Sequence, residues 1–212
     1  MLAENRERFL RRGARLAGIT IGLDVLEGVA AIAAGAAAAS VALIGFGADS
    51  AVETASAAVV LWRVRCEMRS AGDSARTEAV ERRAARITGA LLLALAAYVV
   101  VDAVRRLAGH GSEARASLAG IVVTAAALVV MPILGRAKLR VAAALGSRAL
   151  RADAFETIFC AWLALATLVG LALNAALGWW WADPAAALVL VPLIAREGIE
   201  GVRGEADDED DD

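Results

Sequence analysis

Six apolar runs divide the chain, over residues 16–38, 41–64, 84–107, 116–134, 152–177 and 184–199. Short polar stretches rich in arginine separate them. A helix needs about 20 apolar residues to cross the hydrocarbon core of a bilayer, so the pattern predicts an all-α membrane protein with six transmembrane helices. The first two runs are joined by a very short link near Ala39-Ser40. The charged stretch 65–86, with Gly72, Asp73 and Ser74 at its middle, reads as a solvated turn flanked by helical extensions. The spans fill residues 1–204 as one transmembrane domain. The remaining residues, 205–212, are nearly all acidic and read as a disordered, solvated tail.

Composition agrees with the pattern. The chain is 59% hydrophobic over 212 residues, against about 45–50% for a soluble domain. Its net charge of −2 says little, because the charges are segregated. The basic residues set an orientation, since loops that stay inside carry the excess of arginine and lysine. Arg6, Arg8, Arg11, Arg12 and Arg15 precede the first span, and others crowd the links between spans two and three and between four and five. The opposite side holds Arg105, Arg106 and Arg115. Both termini are therefore expected in the cytosol. Trp179-Trp180-Trp181 then falls at the outer interface, where aromatic rings prefer to sit. Cys66 and Cys160 form no disulfide framework. With no soluble basic domain, nucleic acid is not an expected partner. The abundance of alanine and arginine suggests a bacterial chain, placed as a multi-pass protein in the inner membrane.

The acids inside the apolar runs carry the chemistry. Asp49 and Glu53 stand four apart in the second run, and Glu156 and Cys160 four apart in the fifth. Side chains at i and i+4 share a helix face, with Cβ atoms roughly 5–6 Å apart. Two such pairs on touching helices supply four ligands for one divalent cation. A carboxylate at the centre of a span costs about 2.5–3.5 kcal/mol on the insertion scale, and a bound metal ion is the simplest compensation. No arginine or lysine falls deep in any of the six runs, which argues against buried ion pairs. Asp24 and Glu27, on one face of the first run, and Asp153, one turn before Glu156, are candidates for the ion path or for proton coupling. His110, the only histidine, reads as a solvated loop residue.

These residues carry a family resemblance. The stretch 149–160 reads Ala-Leu-Arg-Ala-Asp153-Ala-Phe-Glu156-Thr-Ile-Phe-Cys160. It resembles the fifth span of the cation diffusion facilitators, six-span divalent-metal/proton antiporters, where the pattern is Ala-Leu-x-Ala-Asp-Ala-x-His-x-x-x-Asp. Glu156 stands at the family's histidine and Cys160 at its aspartate. Asp49-Ser-Ala-Val-Glu53 resembles the second span, and Trp181-Ala-Asp183-Pro184 the start of the sixth. The resemblance implies a metal/proton antiporter that exports a divalent ion through Asp49, Glu53, Glu156 and Cys160, and it implies a homodimer. It also implies a short branch, without the cytosolic domain that usually follows the sixth span. Thiolate favours zinc and other soft ions, whereas carboxylates suit manganese and iron(II). Zinc is the favoured cargo, with cobalt, iron(II) and manganese next, and no prosthetic group is expected. The alternative is a non-transporting membrane scaffold or metal-binding protein. An enzyme is not expected, since no Gly-x-Ser-x-Gly, His-Glu-x-x-His or cofactor motif is present.

Overall fold

A computed structural model describes residues 2–38, 41–69, 73–109 and 118–203. His110, Arg115 and the acidic tail lie outside the described residues. Six helices follow one another: α1 (Leu2–Ala38), α2 (Val41–Arg69), α3 (Ser74–Leu107), α4 (Leu118–Leu145), α5 (Arg148–Leu177) and α6 (Ala182–Arg203). There is no strand among the described residues. Two stretches, Asn5–Ala33 and Ser74–Leu107, are long and apolar enough among the described residues to cross a membrane.

The helices outrun the apolar runs, because charge on one face lowers mean hydropathy without breaking a helix. Arginine and glutamate are good helix formers. α3 therefore begins ten residues before its apolar run, at Ser74. Asp73 starts it by accepting the Arg76 backbone N–H at 3.0 Å, the usual work of an N-cap carboxylate. α4 likewise runs on to Leu145, and what reads as a basic loop is its last three turns. Only Gly146 and Ser147 separate it from α5. Gly146 takes φ 62°, which glycine adopts without steric cost, and the Ser147 N–H reaches back to the Ala142 carbonyl at 3.0 Å. α6 begins at Ala182, so Asp183 falls inside its first turn.

Packing divides the bundle. α1 lies along α2 and α4 along α5, while α1 also meets α4 and α2 meets α5 along a slimmer seam. These four helices surround a shared interior. α3 and α6 form a pair of their own that leans on α5, and α3 also meets α2. That pair is close because it is built on glycine: a Cβ on Gly89 would stand 2.7 Å from the Gly198 carbonyl oxygen. Small residues allow such backbone approach between membrane helices. Buried side chains at one end of the bundle include Leu10, Val60, Val64, Ala85, Val141 and Leu150. Large apolar side chains point outward, among them Leu26, Val29, Val129, Ile133 and Val189. Such a surface suits lipid rather than water.

The interior is not free of basic side chains, contrary to the expectation from sequence. Lys138 of α4 is fully buried, and Arg63 of α2 is 2% exposed. Lys138 sits between Arg136 and Arg140, both exposed, and two residues along a helix turn a side chain to nearly the opposite face. The lysine therefore enters the bundle while its neighbours stay outside.

Candidate functional site

Three helices deliver acids to the interior, and a fourth brings a lysine. Asp24 comes from α1, Asp49 and Glu53 from α2, Asp153 and Glu156 from α5, and Lys138 from α4 brings a positive charge among them. Asp24, Glu53, Asp153 and Glu156 are all buried, while Glu27, Asp49 and Cys160 are half-buried. Asp24 lies within electrostatic reach of Glu53, Lys138, Glu27 and Asp153. Glu53 feels Lys138 and Asp153, and Glu156 feels Glu53, Asp153 and Asp49. Every candidate acid predicted from the sequence thus belongs to one electrostatic group.

The two i, i+4 pairs do meet across the α2–α5 seam. The Cys160 thiol donates to Asp49 Oδ2 at 3.6 Å, and the Thr157 hydroxyl donates to Glu53 Oε1 at 2.7 Å. Glu156 points into the same space, with the Ser56 hydroxyl facing it. Among the described residues, neither carboxyl oxygen of Glu156, nor of Asp24, has a hydrogen-bond partner at bonding distance and angle. Burying such groups without partners is costly. These are the oxygens a cation would satisfy. Among the described residues, no three His, Cys, Asp or Glu side chains stand ready as a cage around one ion.

Asp153 carries an ion pair that its sequence position does not announce. It is fully buried, and Lys138 Nζ lies 2.8 Å from its Oδ2. The same ammonium donates to Thr157 Oγ1 at 2.9 Å. One hydroxyl therefore links three helices: α4 through Lys138, α5 through Thr157 itself, and α2 through Glu53. Gly135 makes the reach short, since a Cβ there would stand 2.5 Å from Ile158 Cγ1. Lys138, Thr157 and Ser56 escaped the sequence reading. A signal for Thr157 was present, because it follows Asp153 by four residues and so shares its helix face.

A second charged network lies towards the other end of α2. Arg63 pairs with Glu81 of α3 and, at 2.9 Å, with Glu67. Glu81 also accepts from the Ser147 hydroxyl at 3.0 Å and the Ala149 N–H at 2.9 Å, at the start of α5. Arg6 of α1 reaches Glu67 at 2.6 Å. The network ties α1, α2, α3 and α5 together. Arg151 joins α5 to Glu197 of α6 at 3.2 Å.

A helical bundle with a lipid-facing apolar surface and an excess of buried acids is the build of a membrane carrier for cations. The comparison with family models agrees: residues 19–203 match the cation efflux transmembrane domain. The chain belongs to the cation efflux family, whose members are membrane-embedded cation transporters and not enzymes. The comparison with curated proteins returns no match.

Proposed function

We propose that the chain is a metal/proton antiporter, exporting a divalent transition-metal ion from the cytosol, with Asp49, Glu53, Glu156 and Cys160 as its ligands. The observation that supports this best is the meeting of the two pairs: Cys160 on Asp49, Thr157 on Glu53, and Glu156 buried beside them with both oxygens unsatisfied. The donor set, three carboxyls and a thiol, suits zinc best and accepts cobalt, iron(II) or manganese. Ligands must lose their protons to bind a metal, so affinity falls as pH falls. Protons arriving from the far side displace the ion. Asp24 and Glu27 lie on the α1 face of the same space and serve the ion path or the proton exchange.

On this reading, six helices span the bilayer over residues 1–204. Both termini are cytosolic, as the arginine distribution suggests, and the stacked Trp179 and Trp181 rings, 5.5 Å apart, mark the outer interface. The setting is a bacterial inner membrane and the assembly a homodimer. The test is transport into proteoliposomes carrying an interior pH dye. Zinc, cobalt, manganese, iron(II) and cadmium are added in turn to wild type and Asp49→Ala. Metal-driven proton movement is expected in the wild type and not in the variant. A folded Asp49→Ala protein that still transports would overturn the ligand assignment.

A further inference from the structure

We propose that Lys138 is a resident counter-cation: it withholds Asp153 from the transported ion, shares Glu53 through Thr157, and thereby sets the affinity of the site. The proposal rests on the reading of Glu53 as an ion ligand. The Lys138 ammonium is fully buried and makes contact with two partners, Asp153 Oδ2 at 2.8 Å and Thr157 Oγ1 at 2.9 Å. An ammonium only donates hydrogen bonds, so the Thr157 oxygen receives one from Lys138 and turns its own proton outward. That proton has two acceptors within reach, Glu53 Oε1 at 2.7 Å and the Asp153 backbone carbonyl at 3.1 Å, and the shorter contact is to Glu53. Chains of hydrogen bonds of this kind strengthen one another. Glu53 Oε1 is therefore engaged before any ion arrives.

The consequence is a site whose charge is already partly balanced. An empty pocket of several carboxylates repels itself, and a departing divalent ion would leave that repulsion behind. An ammonium tethered at the edge offsets it and eases release. The same ammonium opposes an arriving cation, so affinity is held down. An ordinary structural ion pair has neither effect. It predicts that removing either partner harms the protein in the same direction, because either loss leaves a buried charge alone.

The experiment measures zinc and cobalt binding by calorimetry on the full chain purified in detergent, at fixed pH and ionic strength. Thermal unfolding of each variant is followed in parallel. Lys138→Met should bind about ten-fold tighter, because Asp153 and Glu53 are released to the ion; partners one step removed from a metal change affinity by about 10–100-fold. Asp153→Asn should bind about ten-fold weaker, because the ammonium is left to lean on Glu53. The double variant, neutral again, should return to within about three-fold of wild type. Opposite signs for the two single variants support the proposal. Equal signs, or no change in either, overturn it. If Lys138→Met does not fold, recovery of affinity from Asp153→Asn to the double variant carries the same decision. Glu53→Gln is run beside them. If it binds like wild type, the ion-site reading fails. If it loses binding while the two single variants move together, the Lys138 proposal fails alone.

Discussion

Among the described residues the bundle holds two sets of buried charges, and they are built on opposite terms. Around Glu81 the charges balance, two arginines against two glutamates, although Arg63 Nη1 and Glu67 Oε2 have no hydrogen-bond partner among the described residues. Glu81 takes Arg63, Ser147 and the Ala149 N–H, and Glu67 takes Arg63 and Arg6. Around Glu53, acids outnumber the cation. Lys138 serves Asp153 and Thr157, and Glu156 and Asp24 keep oxygens with no partner. A matched network costs little to keep folded and ties helices together. An unmatched one is held against its own repulsion and gains something when a cation enters. Buried charge alone does not separate a site from a brace; the balance of negative and positive charge does.

The sharpest test of that contrast is Glu156→Gln. An amide keeps the shape but gives the ion less negative charge. Transport of the metal should fall by more than about a hundred-fold, since even partners of ligands change affinity by about 10–100-fold. Its unfolding temperature should hold or rise, because a buried carboxyl among other acids is exchanged for a neutral group. Function lost with stability kept is the signature of the unmatched set. Vesicle flux and a thermal melt on the same preparation read both.

In the matched set, Arg63→Met should do the reverse. Glu81 and Glu67 lose a cation, and breaking a buried pair from one side costs roughly 3–5 kcal/mol. A marked drop in unfolding temperature is expected, with metal affinity per folded molecule unchanged. Arg63→Met with Glu81→Gln should recover part of the loss. A variant that keeps its stability but loses metal binding would erase the distinction between the two sets.

Much of this architecture was legible in the sequence, and the missing part has a physical reason. Apolar runs locate the helices because lipid exposure demands them. The i, i+4 spacing of Asp49 and Glu53, and of Glu156 and Cys160, puts each pair on one face whatever the packing. Lys138 was invisible because the hydropathy of Gly135-Arg-Ala-Lys-Leu-Arg averages over the whole helix circumference, and that segment reads as a loop. Its burial is decided by which face of α4 meets α5, a tertiary fact. The same holds for Glu81 and Ser147, which are 66 residues apart and meet only once the bundle closes.

A gentler test concerns the seat of Lys138. In Gly135→Ala the new methyl would meet Ile158 Cγ1 at 2.5 Å and the Ala154 carbonyl oxygen at 3.3 Å. Overpacking of this kind costs about 1–3 kcal/mol. The first contact is with a side chain, so Gly135→Ala with Ile158→Ala should relieve most of the strain. A chemical melt of the single and double variants checks this. If the double variant is no better, the obstacle is the α5 backbone.

The smallest effect belongs to charges in neither set. Arg11 and Glu7 pair at 2.5 Å on α1, with side chains 65% and 56% exposed. Distance alone would make this contact look as strong as any in the bundle. Solvent screens it, and exposed i, i+4 pairs contribute only about 0.3–0.5 kcal/mol. Arg11→Ala should therefore leave the unfolding temperature and metal flux close to wild type, with any shift shrinking further in high salt. A large loss of stability there would mean that α1 carries a charged contact beyond Glu7. A small one, set beside Arg63→Met, isolates burial as what gives the inner pairs their weight.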